Sequence, residues 1–283
     1  MDENIFRTGT PQDKWVFAGG LNLHYLDWNN EEKQPVLLLH GLQDCASRWD
    51  FFAEKMASDY RVLALDHRGH GDSPKGGHVS YTLRDYITEL AEMIDSLELK
   101  NLILIGHSAG AKNAYMYASL HPERLAGLVI VDMDPDSANP GSASMFEQYK
   151  KESDIWNNLD EVIERLRAMA PNASNKTLRH HAIVLTKGGQ GGSREWKRDR
   201  GVLDRYERPD AWAALETIGC PTLLIRGSQS PLLTEDIAVR MRESISNCYL
   251  EEIPNSGHWC HDENPGAFHG TVLRFLEKIN KGF

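Results

Sequence analysis

The sequence predicts a doubly wound α/β fold interrupted by a helical insertion, and three observations carry that prediction. Short continuous runs of Leu, Ile and Val recur toward both ends of the chain, stretches with helical apolar spacing separate them, and the alternation breaks between Met133 and Ile218. Continuous runs suit strands buried on both faces of a parallel sheet, and strand–helix alternation supplies the helices that cover those faces.

The expected strands are Val36–Leu39, Val62–Leu65, Leu102–Ile105, Leu128–Val131 and Thr222–Ile225, with Cys248–Ile253 as the last. Leu83, Tyr86, Ile87, Leu90, Ile94 and Leu97 form one stripe of a helix, and Thr82 with Asp85 three residues later reads as its capping pair. A second helix follows Leu102–Ile105 over residues 111–120. A third closes the chain, with Pro265 near its start and Phe268, Val272, Phe275, Leu276 and Ile279 on its buried face. The expected organisation is therefore a core over residues 1–132, a helical cap over 133–218 and the rest of the core over 219–283.

Within the insertion, Leu159, Val162, Ile163, Leu166 and Met169 recur at helical spacing, and His181–Leu185 is the one run readable as a strand. Gly188-Gly189-Gln190-Gly191-Gly192-Ser193 follows no strong strand, which predicts a mobile connection rather than a phosphate cradle. Residues 176–208 carry nine Lys or Arg against four acids, read as a solvated helix face.

The chain has 283 residues, with 31 Lys and Arg against 41 Asp and Glu, a formal charge of −10. That balance argues against nucleic-acid and anionic-membrane partners and leaves a small-molecule substrate as the expected one. Cys45, Cys220, Cys248 and Cys260 form no Cys-x-x-Cys pair and read as reduced thiols. Neither a leader over Met1–Gly20 nor an apolar run of membrane-spanning length stands out, so the expected location is cytoplasmic and the two Asn-x-Ser/Thr matches near residue 172 are taken as chance. Oligomeric state is open.

The chemistry centres on Gly106-His107-Ser108-Ala109-Gly110, which follows an apolar strand and opens a helix. A side chain presented on so sharp a strand-to-helix turn needs nearly bare neighbours, hence the glycines, and the helix behind it points orphan N–H groups at developing negative charge. A serine needs a base and an acid behind that base. His258, in Asn255-Ser256-Gly257-His258-Trp259, sits between the last strand and the last helix, at the carboxyl edge of the sheet where Ser108 emerges. His67 and His70 belong to a turn, and His180 and His181 to the insertion. The pair His258 and His261 lacks a third ligand at helical spacing, so neither a metal nor another cofactor is expected.

His40-Gly41, Asp66-His67-Arg68-Gly69-His70-Gly71, the elbow around Ser108 and the late Gly257-His258 occur in the order found in α/β-hydrolases, and over essentially its whole length the chain resembles that family. The resemblance implies a nucleophile at Ser108, a general base at His258 and an oxyanion hole from the backbone N–H groups of Leu42 and Ala109. Many members carry the acid three residues beyond the glycine after the Thr222–Ile225 strand, and that position, counted from Gly227, is Ser230. A second arrangement in the family takes the acid from the end of the strand after the elbow helix, where Leu128-Val129-Ile130-Val131 ends at Asp132. Asp132 is the expected acid because it is nearest the strand's rigid end, Asp134 is the alternative, and Asp236 reads as a surface charge.

Serine at the elbow excludes, by resemblance, the dehalogenases and epoxide hydrolases that need aspartate there. The expected activity is hydrolysis of a small carboxylic ester or lactone through an acyl-enzyme. The stretch from Gly106 to Asn113, Asp132 and Arg226-Gly227-Ser228-Gln229-Ser230 is also similar to enamide hydrolases of the (acetamidomethylene)succinate type. That alternative implies cationic cap residues, for which Arg165, Arg167 and Arg179 are available. Carbon–carbon bond hydrolysis and a non-enzymatic ligand receptor are the remaining alternatives.

Overall fold

Each expected core strand forms, and the computed structural model describes residues 10–76 and 79–281. The strands are β1 (Gln12–Ala18), β2 (Leu21–Asp27), β3 (Pro35–Leu39), β4 (Arg61–Leu65), β5 (Leu102–His107) and β6 (Leu125–Val131). Three short strands follow in the insertion, β7 (Ile155–Trp156), β8 (Thr186–Gly188) and β9 (Arg194–Trp196), before β10 (Thr222–Gly227) and β11 (Cys248–Ile253). The main sheet has eight strands in the order β1-β2-β4-β3-β5-β6-β10-β11. It is parallel from β4 to β11, and the β1–β2 and β2–β4 pairs are antiparallel.

Alternation along the strands divides the core into two layers. Leu37, Leu39, Leu63, Leu65 and Leu104 face the helices Leu83–Ser96 and Ala109–Leu120, while Val36, Leu38, Val62, Ala64, Ile103 and Ile105 face Asp50–Met56 and Pro265–Asn280. Such fully buried aliphatic side chains contribute about 1.5–3 kcal/mol each. Thr82 and Asp85 form the expected capping box. No helix among the described residues is long and apolar enough to cross a membrane.

The β1–β2 hairpin was not among the expected strands. Its outer strand alternates buried Val16 and Ala18 with exposed Trp15 and Phe17, so no continuous run marks it. The available signal was Gly19-Gly20, both at positive φ (59° and 75°), the backbone that a two-residue hairpin turn demands.

Residues 133–218 differ from the sequence reading in three places. His181–Leu185 is helical, lying in and capping Asn175–Val184, whose N-terminus is held by Ser174 accepting from Thr177 N–H. Gly188–Ser193 is a turn joining β8 to β9 rather than a loose link: Gly189 N–H reaches the Ser193 carbonyl at 2.8 Å, and Gly191 and Gly192 take positive φ. Strands of two or three residues are too short to show a period, so the small β7-β9-β8 sheet left no pattern to read. The basic stretch is not one helix face either, because its cations are spread over a helix, a hairpin and a loop. Lys187 pairs with Glu195, Arg198 and Arg200 with Asp154, and Arg208 with Asp134.

The turn after β4 is bound to the helix Leu83–Ser96 by a buried ion pair. Arg68 directs Nε and Nη2 to Glu89 Oε1 at 2.8 and 2.7 Å. Burial pushes the Glu89 carboxyl up to about 7 from its ordinary 4.5, with Arg68 opposing. Between those values the folded chain holds a proton that the unfolded chain releases, so this group's contribution to stability falls as pH rises through that window. Glu89→Gln is expected to remove that slope, which is worth on the order of 3 kcal/mol. Urea midpoints of the two proteins from pH 4.5 to 7.5 measure it, and parallel curves would refute the assignment.

Candidate active site

Ser108 stands between β5 and the helix Ala109–Leu120 at φ 52° and ψ −121°, a backbone region that L residues rarely occupy. The turn exists because its neighbours are bare. A Cβ on Gly106 would lie 2.4 Å from the Gly110 carbonyl oxygen, and one on Gly110 would lie 2.5 Å from the carbonyl oxygens of Leu39 and His40. Ser108 N–H donates to the Val131 carbonyl at 3.0 Å, which ties the elbow to the end of β6. Ala109 is the first residue of the helix, so its N–H has no intrahelical partner.

Asp132 follows directly on β6 at φ 49°, a positive φ of the kind aspartate and asparagine adopt more often than other side-chain-bearing residues. It is fully buried, and its two oxygens are divided among three donors. Oδ1 accepts Gly227 N–H at 3.0 Å, whereas Oδ2 accepts the Ser230 hydroxyl at 2.6 Å and meets His258 Nδ1 at 2.7 Å. The Ser230 hydroxyl oxygen accepts in turn from Leu232 and Leu233 N–H at 3.1 and 3.3 Å, so its proton is directed to Asp132. The loop bearing His258 reaches this point because Gly227 has no side chain: a Cβ there would lie 2.0 Å from the Gly257 carbonyl oxygen. Ser230 and His258 thus converge on one carboxylate oxygen of Asp132, although sequence reasoning assigned Ser230 no part beyond standing where an acid was expected.

Asp134, the alternative acid, turns elsewhere. Arg208 Nη2 holds both of its oxygens at 3.1 Å, and Arg208 also donates to the Asp136 carbonyl. This buried pair joins the segment leaving β6 to the segment returning toward β10, and Lys112 Nζ supports it from the elbow helix by donating to the Pro209 carbonyl at 2.7 Å.

The histidines of the two sequence motifs brace the loop that carries Leu42. His67 N–H donates to His40 Nε2 at 3.1 Å, so the proton of His40 is on Nδ1, which donates to the Gly41 carbonyl at 2.7 Å. In the same way Gln43 N–H donates to His70 Nε2 at 3.3 Å, and His70 Nδ1 donates to the Arg68 carbonyl. Burial lowers both imidazoles, His70 to about 3, which keeps these neutral tautomers. The loop lies against the elbow: a Cβ on Gly41 would be 3.2 Å from Ser108 Cβ. Leu42 and Ala109 belong to one apolar cluster with Tyr149, Met145 and Met169 from the insertion.

A polar network lies behind these groups. Arg48 pairs with Asp44 at 3.3 Å and with Asp262 at 2.6 Å, and Asp262 also meets His181 at 2.9 Å. Burial pushes the Asp262 carboxyl up, but Arg48 and His181 more than reverse that and hold it below the usual range. His107, next to Ser108, donates from Nε2 to the His258 carbonyl at 2.9 Å, linking the elbow to the loop of the candidate base. His261 stacks on Trp49 and, with burial, is lowered to about 4. His24, Asp66 and Asp72 bring three ligand-type atoms within 4.8 Å of one another. Their oxygens and nitrogens are already engaged: Asp66 takes His24 Nδ1 at 2.7 Å and the N–H groups of Ala46 and Asp72, which makes the group a brace for the turn.

Two spaces are lined by residues of these loops, one by Leu42 and the other by His258. An outer cleft of about 340 Å³ is lined by His258, Trp259, Gln229, Leu232, Met145 and Met169 among others. An inner pocket of about 20 Å³ is lined by Leu42, Tyr149, Leu166, Met169, Leu185, Trp196 and Trp259, together with Asp44, Arg48, Glu152 and Arg165. Of the three cap arginines considered from sequence, only Arg165 lines it, and Glu152 binds that guanidinium. Arg167 pairs with Glu164 and Asn175 on the outside, and Arg179 is exposed.

A strand–turn–helix elbow on an eight-stranded, mostly parallel sheet defines a family, and the model of the alpha/beta hydrolase fold matches residues 34–265. The chain belongs to the α/β-hydrolase family. Its relatives include esterase YbfF of Escherichia coli (strain K12), 24% identical over 88% of this chain and 95% of that protein. Another is 2-hydroxy-6-oxononadienedioate/2-hydroxy-6-oxononatrienedioate hydrolase 2 of Pseudomonas putida, 27% identical over 91% of this chain and 92% of the relative. Among solved structures, E-2-(acetamidomethylene)succinate hydrolase superposes with a TM-score of 0.85 at 21% identity, over 95% of this chain and all of that one, a likeness of fold.

Proposed function

We propose that this protein is a serine hydrolase that cleaves a small carboxylic ester or lactone through an acyl-enzyme, with residues 133–218 acting as a cap over the site. The observation that carries the reading is the 2.7 Å contact between His258 Nδ1 and an Asp132 carboxylate fixed by Gly227 and Ser230, in a chain whose elbow presents a serine. Ser108 attacks the carbonyl carbon while His258 takes its proton, Asp132 steadies the imidazolium, and the N–H groups of Leu42 and Ala109 receive the oxyanion. His258 then protonates the leaving group, and water releases the acid by the same steps.

The choice of ester or lactone over a dicarboxylate substrate rests on the walls. Leu42 and Ala109 lie among Tyr149, Met145 and Met169, and both cations lining the inner pocket, Arg48 and Arg165, carry carboxylate partners. A dianionic substrate would have to displace those partners, whereas a neutral one would not. Incubation with a fluorophosphonate probe tests the enzyme reading. Labelling of the native protein that disappears in Ser108→Ala and weakens strongly in His258→Ala is expected, and binding of small ligands without labelling or turnover would point to a receptor.

Ser230 has a testable share in this site. Ser230→Ala removes one hydrogen bond to the Asp132 carboxylate and leaves the His258 contact in place. A fall in kcat of about 10-fold, the lower range for a hydrogen bond to a charged group, is expected, with KM little changed. Unaltered kcat would show that Gly227 alone suffices to hold the acid.

A further inference from the structure

His258 sits in a loop whose backbone is held from two sides. From the core, Gln229 N–H donates to the Ser256 carbonyl at 2.8 Å and His107 Nε2 to the His258 carbonyl at 2.9 Å. From the insertion, Asn172 Nδ2 donates to the Asn255 carbonyl at 3.1 Å. The N–H of Gly257, the residue before the candidate base, goes to a side chain instead: Glu263 Oε2 accepts it at 2.7 Å. The other oxygen of that carboxylate, Oε1, accepts Asn172 N–H at 3.3 Å. We propose that Glu263 is a positioning residue through which the insertion sets the place of His258, a role that rests on the serine-hydrolase reading above.

Glu263 ends the short helix Cys260–Glu263 and is buried. Its neighbour Asp262 also meets the insertion, at His181, but Arg48 of the core holds that carboxylate as well. Among the described residues no cation pairs with Glu263, and two backbone N–H groups, one from the base loop and one from the insertion, supply its hydrogen bonds. A carboxylate suits such a place because it accepts at both oxygens and donates nothing. Glutamine has one acceptor oxygen, so its NH₂ would face one of the two N–H groups, and opposed donors are disfavoured. The contact is close: a Cβ on Gly257 would lie 3.3 Å from Glu263 Oε2, so the carboxylate rests directly on the backbone beside His258.

The imidazole has to meet Asp132 and Ser108 at once, and a misplacement of about 1 Å at such a group costs on the order of 10²-fold in rate. Asp132 fixes the ring at Nδ1, whereas Glu263 fixes the peptide that leads into it. Glu263→Gln keeps a bond to Gly257 or to Asn172 but not to both, which uncouples the base loop from the insertion and leaves the Asp132 contact in place.

Substitutions made with and without His258 test this role, with turnover of p-nitrophenyl acetate read well below each melting temperature. Glu263→Gln is expected to lower kcat about 10-fold with KM within about two-fold of the native value. Asn172→Ala, at an exposed position, removes the bond to the Asn255 carbonyl and should lower kcat about 3-fold. In a His258→Ala background neither substitution should change the residual turnover by more than about two-fold, because a residue acting through His258 has nothing left to act on. A folded Glu263→Gln protein with kcat within about two-fold of native overturns the positioning role, and so does an equal loss in both backgrounds, the mark of a purely structural part. Should Glu263→Gln not fold, Asn172→Ala decides, and an unchanged kcat there overturns the role. In each of these cases Ser108-dependent turnover of the native protein preserves the hydrolase. Absence of that turnover overturns the hydrolase reading and the positioning role with it.

Discussion

Ser108→Ala is expected to lower kcat for ester hydrolysis by about 10⁶-fold, the scale of a lost triad nucleophile, while leaving the protein folded. The second half of that statement follows from the backbone. Ser108 holds φ 52° because Gly106, Gly110 and the loop at Gly41 pack around it, and alanine has the same Cβ and meets the same strain. The serine side chain also caps no helix N–H, so its removal costs the helix Ala109–Leu120 no hydrogen bond there. Ser108→Gly, by contrast, relieves the strained φ and should raise stability by about 1 kcal/mol while abolishing turnover equally. Initial rates together with thermal melts of the three proteins check both halves. A folded Ser108→Ala protein with near-normal turnover would remove Ser108 from the mechanism.

What was legible in the sequence had a local cause. The elbow glycines announce themselves by their spacing about Ser108, where a Cβ at 106 would strike the backbone of Gly110 and one at 110 that of Leu39 and His40, and the core strands do so because burial on both faces demands unbroken apolar runs. Asp132 was singled out as the candidate acid because the position usually given to the acid held Ser230. The hydrogen bond between those two residues spans 98 positions, and no local pattern encodes it. Similarly, Asp66-His67-Arg68-Gly69-His70-Gly71 was visible as a turn, but its service to the loop carrying Leu42 depends on His40 and His70 meeting across strands. The small sheet of the insertion and the Arg48–Asp262 pair were hidden for related reasons: the strands are too short for a period, and the ion pair's partners lie far apart in the chain.

The braces also explain why the site needs so many buried histidines. His40 and His70 each accept from a backbone N–H and donate to a backbone carbonyl, a combination open to a neutral imidazole and closed to Lys, Arg or a carboxylate. Burial keeps them neutral, and so keeps an acceptor facing each N–H. The loop expected to supply an oxyanion donor is therefore held by bonds that a protonated ring could not make.

Replacing Asp132 by asparagine is expected to lower kcat about 10⁴-fold, as for a triad aspartate, with the geometry preserved. Which end of the amide faces which partner decides the outcome. Gly227 N–H, at 3.0 Å from Oδ1, requires an acceptor, so the amide oxygen takes that side and the NH₂ faces His258 Nδ1 and Ser230. A donor against Nδ1 moves the ring proton to Nε2, the nitrogen that must accept from Ser108. The opposite orientation sets NH₂ against Gly227 N–H, two donors in a buried site, and is disfavoured. Asp134→Asn is the matched control. It breaks the buried pair with Arg208 and should destabilise the protein by about 3 kcal/mol, yet below its lowered melting temperature kcat should stay within a few-fold of the parent. If Asp134→Asn abolished turnover in a folded protein while Asp132→Asn left it intact, the acid would be Asp134 and the contact at His258 merely structural.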